Sequence, residues 1–372
     1  MLKTPKIYFY IPSSELIRTV PDSIVTYWEW LDRTLQSAPA KVANGDALCT
    51  WGGPYNWVVQ TFIYLRDSGF PCELVDTLQN EGIIISHGDF LPFSFKPTST
   101  QFVVEMKPDR DIQCRLSNLV IIQNKQDPLR RGIDSLLINS EFVVLWPQPG
   151  LIPRDSTRLN RFENICYMGT PMRFINEVEE LEKQIKSLGL KWEMIPRERY
   201  HDYSEVDAIV AVNPIDSAAL DNKKVEAWFD PRRKPATKLY NAWLAGVPAI
   251  LSPEPAFENL RKSKLDYLEA KNVSQIIEQI SRLKNDPVLR ESMITNGRMR
   301  AEEFSPAYLT NMWIKLIETK IIPQYYDWTQ SSERRRNRQF LKREIAYKIR
   351  KKQWKMALKM FLKYYLKTQK TP

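Results

Sequence analysis

The sequence predicts an α/β protein of two domains, each built on its own parallel sheet, with a basic helical extension at the carboxyl end. Three observations predict this class. The chain has 372 residues, of which 43% are hydrophobic, which is enough for two separate cores. Short apolar runs alternate with segments of helical periodicity. A proline-rich run at residues 147–153 divides these alternating units into two series and is the predicted hinge.

The first series begins with a predicted strand at residues 6–11 and a predicted helix with an aromatic face at 23–35. Residues 54–67 repeat apolar side chains at helical spacing and stop before Ser68 and Gly69, a common helix ending. Five further runs are short, apolar and bounded by loop residues, as in strands buried on both faces of a parallel sheet. They cover residues 72–75, 82–86, 102–105, 119–123 and 142–146.

The second series repeats the alternation. Predicted strands cover residues 164–168, 191–195, 207–212 and 247–251. Predicted helices cover 174–187 and 235–245, and further helices continue to about residue 321. Two such series predict two Rossmann-like domains facing a cleft. The predicted domains are residues 1–150, 151–330 and, for the basic helical tail, 331–372.

Composition excludes several classes of protein. No apolar run reaches the ~18 residues of a membrane-spanning helix, and the amino-terminal residues lack the cleavage pattern of a secretory signal. The four cysteines form no C-x-x-C pair, so we expect a reducing cytoplasmic setting without a disulfide framework. The sequence shows no cluster of His, Cys and carboxylate residues spaced like a metal site, which favours a mechanism without metal or other cofactor.

Residues 232–251 carry the most informative pattern. Four cations lie at or just before the predicted helix start, namely Arg232, Arg233, Lys234 and Lys238. Pro235 is expected in the first turn, where free N–H groups and the helix dipole favour an anion. Such a site suits a diphosphate. The alternative is a basic loop in front of a core helix that ends at Gly246.

This segment resembles the carboxyl-terminal half of nucleotide-sugar glycosyltransferases of the GT-B fold, most closely family 4. Their A-x-x-x-G-x-P pattern matches residues 242–248. The pair Gly52-Gly53 with its helix, and the segment 167–174, resemble further parts of that family in the same order. The resemblance covers about residues 45–320. It implies the fold and the class of donor but not the sugar.

The resemblance also implies donor-binding residues, with a nucleotide-diphosphate sugar as co-substrate. The implied residues are Arg173, Lys234, Thr237, Lys238, Asn241 and Glu254, with Arg173 and Lys238 as the diphosphate clamp. The loop after Ile195 would meet the base. A retaining branch of the family carries two glutamates eight positions apart, where this chain has Arg233 and Asn241. Asn241 or Glu254 would then hold the ribose. This departure leaves open whether the transfer retains or inverts the configuration at the anomeric carbon. It also leaves open that the chain is a degenerate, inactive copy of such an enzyme.

The acceptor side is expected in the first domain. Gly52 and Gly53 precede a helix and would let a ligand approach the backbone. His87 and Asp89 follow a strand, at the edge where parallel sheets bind ligands. Inverting transfer needs a general base, either His87 oriented by Asp89 or Asp89 itself. A retaining enzyme would use this loop only to line the site. Asp109 and Arg110 either line the acceptor side or form a surface pair.

The basic charge is concentrated in the tail. Residues 331–372 contain fifteen Lys or Arg and two Glu, a net charge of +13, whereas the whole chain carries +10. After a bend near 350–353, apolar and lysine stripes share one helix, including Lys352, Trp354, Lys355, Leu358, Lys359, Phe361 and Lys363. Such a helix lies on an anionic membrane. The alternatives are packing against the amino-terminal domain and binding of nucleic-acid phosphate.

The sequence therefore predicts a cytoplasmic, peripherally membrane-associated glycosyltransferase. It would transfer a sugar from a nucleotide-diphosphate donor to a hydroxyl of a glycan or lipid-linked glycan, without a metal. The alternatives are a non-catalytic GT-B binding protein and a sugar-nucleotide epimerase of the same fold. Removal of residues 331–372 is expected to leave a folded body.

Overall fold

The computed structural model describes residues 4–12, 18–27, 29–31, 53–169, 174, 176–213, 230–353 and 355–356. They divide into two compact units. The first unit holds the described residues up to Val20, those between Arg33 and Val143, and those from Thr310 onward. The second holds the described residues of Pro21–Asp32 and Val144–Leu309. Gly52, Arg173, Trp354, Leu358, Lys359, Phe361 and Lys363 lie outside the described residues.

The sheet of the first unit has six parallel strands among the described residues, in the order β2-β1-β3-β4-β5-β6. In chain order the elements are β1 Ile7–Tyr10, α1 Gly53–Asp67, β2 Glu73–Val75, β3 Gly82–His87, β4 Gln101–Met106, β5 Leu119–Ile122, α2 Asp134–Leu137 and β6 Ser140–Phe142. Every residue of β3, β4 and β5 is buried, as their continuous apolar character predicts.

Two predictions, one in each unit, differ from the structure. The strand predicted at residues 142–146 is β6, which begins earlier and ends at Phe142. The apolar run marks a buried segment, since Val143 and Trp146 are buried, but only its beginning pairs with β5. The segment predicted as a helix at 23–35 begins with a 3-10 turn, Ile24–Thr26, in which Ser23 Oγ accepts from Val25 N–H at 3.2 Å. Residues 32–35 lie outside the described residues.

The sheet of the second unit has five parallel strands among the described residues, in the order β11-β10-β9-β7-β8. In chain order the elements are β7 Asn164–Met168, α3 Val178–Ser187, β8 Lys191–Ile195, β9 Ala208–Ala211, α4 Thr237–Ala245, β10 Ala249–Leu251, α5 Pro255–Glu258, β11 Leu268–Glu269, α6 Val273–Asn285 and α7 Pro287–Ala301. Its core is continuous across the sheet and the flanking helices. Two parallel sheets in series confirm the predicted α/β class with two Rossmann-like domains.

The chain ends in helices α8 Pro306–Leu316, α9 Ile322–Gln330 and α10 Glu333–Arg350, with a π-helical turn Ile317–Ile321 between α8 and α9. The residues from Thr310 onward belong to the first unit, whereas the predicted second domain extended to residue 330. The indole N–H of Trp328 explains the difference, because it is buried and donates to Thr98 O at 2.9 Å. After α10, Lys352 has a φ of 58°, which confirms the predicted bend near 350–353.

Candidate functional site

Helix α4 starts at the carboxyl edge of the second sheet, where parallel sheets bind ligands. It begins at Thr237, two residues later than predicted, so Pro235 precedes the first turn. The N-cap residue is Ala236, whose side chain makes no capping hydrogen bond. Because alanine has no side-chain acceptor, the N-cap leaves the first N–H groups of the helix to other partners. The start of α4 therefore presents the positive end of the helix dipole at this edge.

Two of the four predicted cations are bound by a neighbouring carboxylate. Asp230 caps the 3-10 turn Pro231–Arg233 by accepting from Arg232 N–H at 3.0 Å. Its Oδ2 lies 2.7 Å from Arg232 Nη2 and 3.7 Å from Arg233 Nε. These arginines therefore hold the loop together before the helix, and Lys234 and Lys238 remain as the cations nearest the helix start.

Lys238 lies in the first turn of α4, beside the end of β7. Its Nζ lies 5.8 Å from the ring centroid of Tyr167, a residue of β7. Gly169 directly follows β7, and a Cβ at this position would lie 3.1 Å from Lys238 Cε and 2.6 Å from the Tyr167 hydroxyl. Only glycine permits an approach this close. The loop that leaves β7 therefore starts next to Lys238, as the resemblance implied for the donor site.

Lys234 faces a buried carboxylate at the end of β10. Its Nζ lies 3.9 Å from Oε2 of Glu254. The other oxygen, Oε1, accepts from Ser252 Oγ at 2.8 Å and from the side-chain amide of Asn213, which follows β9. Glu254 is only 7% exposed. Contacts from the ends of two strands therefore fix the orientation of this carboxylate beside Lys234.

The other predicted donor residues differ in their surroundings. Thr237 is the first residue of α4 and is half-buried. Asn241 is buried, and its Oδ1 accepts from the backbone N–H of Gln148 at 3.1 Å. That contact gives Asn241 a structural role in holding the segment after β6. Glu254 is therefore the better placed of the two residues predicted to hold a ribose.

In the first unit, His87 ends β3 and begins a 3-10 turn, Gly88–Phe90. Its ring packs edge-on against Trp57 and Phe90, with centroid distances of 6.3 and 6.0 Å. Burial, with a smaller contribution from Arg110 and against the opposing charge of Asp89, lowers the pKa of His87 from 6.5 to about 4. At neutral pH the imidazole is therefore uncharged. Gly53, the other described residue of the predicted acceptor loop, begins α1.

The His87 ring lies next to Asp89, the residue predicted to orient it, with Nδ1 3.5 Å from Asp89 Oδ2. His87 Nδ1 accepts from the backbone N–H of Asp89 at 3.2 Å, so the neutral ring carries its proton on Nε2. A general base needs an unprotonated nitrogen directed at the substrate. His87 can instead donate a hydrogen bond from Nε2. The carboxylate of Asp89 is engaged by the guanidinium of Arg110.

The pairing of Arg110 with Asp89 was not foreseen in the sequence, where Arg110 was expected to line the acceptor side or to pair on the surface. A second residue was overlooked altogether. Glu105, on β4, is completely buried and lies beneath the His87 turn. A lone glutamate inside an apolar strand is the signal that marks such a position, because burial of an unpaired carboxylate is costly.

The first half of the basic tail, α10, packs within the first unit, whereas the apolar stripe predicted from Trp354 onward lies outside the described residues. Ala346 of α10 is fully buried. The guanidinium of Arg115 lies 2.9 Å from Glu344 Oε1, and Arg350 lies 3.3 Å from Asp111 Oδ1 and 3.4 Å from Asp134 Oδ1. Lys352 and Lys355 lie beyond α10 and are exposed. Among the described helices, none combines the length and apolar character needed to cross a membrane.

Comparisons with known proteins give similarities at the level of solved structures. No family model matches the chain, and no curated protein matches its sequence. Similar structures include Anabaena HepE in complex with UDP and glucose, with 11% identity, a TM-score of 0.46 and coverage of 85% of this chain and 100% of that chain. Sucrose-phosphate synthase from Thermosynechococcus elongatus has 13% identity, a TM-score of 0.43 and coverage of 80% of this chain and 79% of that chain.

S. aureus TarM is also similar, with 11% identity, a TM-score of 0.42 and coverage of 70% of this chain. The chain spans 57% of the length of that protein. These structures are GT-B glycosyltransferases, the family that the sequence resembles.

Proposed function

We propose that the chain is a glycosyltransferase that moves a sugar from a nucleotide-diphosphate donor to an acceptor hydroxyl. One observation carries the proposal: the start of α4, Lys238, Gly169 and the Lys234–Glu254 pair meet at the carboxyl edge of the second sheet. The same edge contributes the positive end of the α4 dipole, two cations and a carboxylate. The helix start and the cations suit a diphosphate and the negative charge that it gains as the leaving group. The carboxylate suits the hydroxyls of a ribose.

The chemistry follows from the charge that develops during transfer. The bond between the anomeric carbon and the donor phosphate breaks, a bond from that carbon to the acceptor oxygen forms, and the acceptor hydroxyl loses its proton. The leaving diphosphate gains negative charge, which the α4 dipole, Lys234 and Lys238 stabilise in the proposed reaction. These groups supply the stabilisation in a metal-independent mechanism. Glu254 accepts hydrogen bonds from the ribose.

The His87 turn is proposed to line the site. With its proton on Nε2, His87 donates a hydrogen bond to a sugar or acceptor oxygen, since its pKa of about 4 keeps it neutral. Asp89 stays the candidate base for the acceptor proton in an inverting reaction. Its contact with Arg110 holds its carboxylate in place. Gly53 and Gly52, with Arg173 on the donor side, keep the roles predicted from the sequence.

The proposed acceptor is a glycan or lipid-linked glycan at the surface of an anionic membrane. The support is the sequence of the tail beyond α10, where a stripe of aromatic and leucine residues lies beside a stripe of lysines on one predicted helix. The proposed setting is the cytoplasmic face of the membrane, with peripheral attachment. Helix α10 ends at Arg350, before these stripes begin in the sequence.

The proposal is tested by thermal shift with a panel of nucleoside diphosphates and their sugars, because a bound ligand stabilises the folded state by mass action. We expect the nucleoside diphosphate of one base to raise the unfolding temperature of the protein. The nucleotide-diphosphate sugar of the same base should raise it too. Release of nucleoside diphosphate that depends on an added acceptor then establishes transfer. Binding without release points to a binding protein, and conversion of the sugar without acceptor points to an epimerase. A panel with no stabilising member contradicts the proposal.

A further inference from the structure

The backbone of the His87 turn rests directly on a buried carboxylate. Gly88 follows His87, and a Cβ at this position would lie 2.8 Å from Oε1 of Glu105 and 3.0 Å from Cβ of Gln113. Strand pairing brings the two segments together, since Ser86 is in register with Glu105 and His87 with Met106. Because nothing separates Gly88 from Glu105, the position of this carboxylate determines where the turn lies.

Glu105 is itself held from three directions within its own unit. Oε1 accepts from the backbone N–H groups of Gln113 and Cys114, at 2.7 and 3.2 Å. Oε2 accepts from the hydroxyl of Ser117 at 3.0 Å. Burial raises the pKa of Glu105. A carboxylate that is fully buried needs a compensating positive charge nearby to remain ionised.

Arg343 of α10 provides that charge. Its guanidinium is 6% exposed, and Nη2 donates to Ser117 Oγ at 2.7 Å, with Cys114 O at 3.5 Å. The Ser117 hydroxyl thus accepts from Arg343 and donates to Glu105. Burial lowers the pKa of Arg343 to about 10, and the charge of Glu105 opposes that shift. The carboxyl-terminal helix and the His87 turn are therefore connected by one chain of contacts.

We propose that Arg343 is a positioning residue for the His87–Asp89 turn, acting through Ser117 and Glu105. The basic carboxyl-terminal segment then has a second role besides any membrane contact, because it holds a candidate catalytic turn from the opposite end of the sequence. The proposal rests on the proposed function only in taking this turn as part of the active site. Without Arg343, Glu105 keeps its buried charge uncompensated, and the hydrogen bonds that hold it against Gly88 rearrange.

The chain offers a direct probe, because its only histidines are His87 and His201. His201 belongs to the second unit and serves as an internal reference. Protein labelled with 15N-histidine is examined without ligand by long-range 1H–15N NMR at neutral pH. The wild-type spectrum should show His87 with an unprotonated Nδ1 and a protonated Nε2. This measurement does not depend on turnover, so the proposed function and the positioning role are tested separately.

In Arg343→Met we expect the His87 cross-peaks to shift by more than their line width while those of His201 stay in place. Arg343→Lys, which keeps a cation, should return the His87 peaks toward the wild-type positions. Lys342→Met is the matched control, since Lys342 is an exposed cation on the same helix, and it should leave both histidines unchanged.

Unchanged His87 peaks in folded Arg343→Met overturn the proposal, and so does an equal shift of both histidines, which indicates a general loss of structure. If Arg343→Met does not fold, Ser117→Ala tests the same connection with a smaller change. This variant removes the bridging hydroxyl and should shift His87 alone. His87 peaks at the wild-type positions in folded Ser117→Ala likewise overturn the proposal.

Discussion

Lys234 Nζ lies 3.9 Å from Glu254 Oε2 at the carboxyl edge of the second sheet, so one of the two cations near the start of α4 already faces a carboxylate. Solvent screens this attraction only weakly, because the Lys234 side chain is only 13% exposed. A diphosphate arriving at the helix start would share Lys234 with Glu254. Replacement of Lys234 should therefore affect the binding of the diphosphate, whereas replacement of Glu254 should affect the binding of the nucleoside.

Replacement of Lys238 tests the diphosphate clamp. Lys238→Ala should weaken the affinity for the nucleoside diphosphate selected by thermal shift about tenfold or more, because a hydrogen bond to a charged group contributes about 1.5–3 kcal/mol. Isothermal titration calorimetry measures the dissociation constant. Lys271→Ala is a control, since Lys271 is an exposed lysine of the same unit. An affinity of Lys238→Ala equal to that of wild type would contradict the clamp assignment.

Replacement of Glu254 separates ribose binding from phosphate binding. Glu254→Gln removes the negative charge beside Lys234, so the affinity for inorganic pyrophosphate should stay the same or rise. The affinity for the nucleoside diphosphate should fall, because an amide oxygen accepts ribose hydroxyls less strongly than a carboxylate does. Competition titrations with the two ligands give both values. Parallel changes for pyrophosphate and nucleoside diphosphate would exclude a ribose contact at Glu254.

The depressed pKa of His87 makes stability depend on pH. Its pKa is about 4 in the folded protein and 6.5 when unperturbed. The unfolded chain therefore binds a proton more readily as the pH falls below 6.5, and stability is lost until the folded pKa near 4 is reached. Between pH 7 and pH 5 this single group should lower the free energy of unfolding by about 2 kcal/mol.

Urea unfolding of wild type and His87→Asn at both pH values measures this contribution. Asparagine cannot titrate, and its side-chain oxygen can accept the Asp89 N–H that His87 Nδ1 accepts in the wild type. Effects of the other ionisable groups cancel in the difference between the two proteins. We expect wild type to lose more stability than His87→Asn on acidification. Equal losses would mean that His87 is not buried as described.

Most of the architecture was predictable because buried parallel strands have a simple pattern. The strand predicted at residues 164–168 matches β7, and the helix predicted at 54–67 matches α1 to within one residue. The errors lie in segments whose sequence pattern resembles that of a strand or helix but whose backbone is not part of that strand or helix. Residues 143–146 are apolar but follow β6, and Pro235 precedes α4 because the 3-10 turn Pro231–Arg233 comes before it.

The candidate site was predictable only where one local segment carries it. The start of α4 is such a segment, and Lys234 and Lys238 lie there as expected. The contacts of Asp89 with Arg110 and of Ser117 with Arg343 were not predictable, because they join residues 21 and 226 positions apart. Periodicity and motif spacing contain no information about such distant pairs, which depend on how the helices pack against the sheet.

The packing of α10 changes what a truncation can show. Removal of residues 331–372 would delete Arg343, Ile345 and Ala346, which are buried in the first unit. We therefore expect this truncation to lower the unfolding temperature of the protein. The sequence alone predicted that a folded body remains after the truncation, without this loss of stability. A chain ending at residue 353 keeps α10 intact and is the appropriate variant for membrane binding.

The chain ending at residue 353 loses five lysines, and each lysine near an anionic surface contributes about 1 kcal/mol. In sedimentation with phosphatidylglycerol vesicles we expect the full chain to bind and the shortened chain to remain in solution. Neutral phosphatidylcholine vesicles should bind neither protein, and added salt should weaken the binding of the full chain. Since α10 stays in place, thermal unfolding should be unchanged. Binding of the shortened chain equal to that of the full chain would refute a membrane role for the end of the tail.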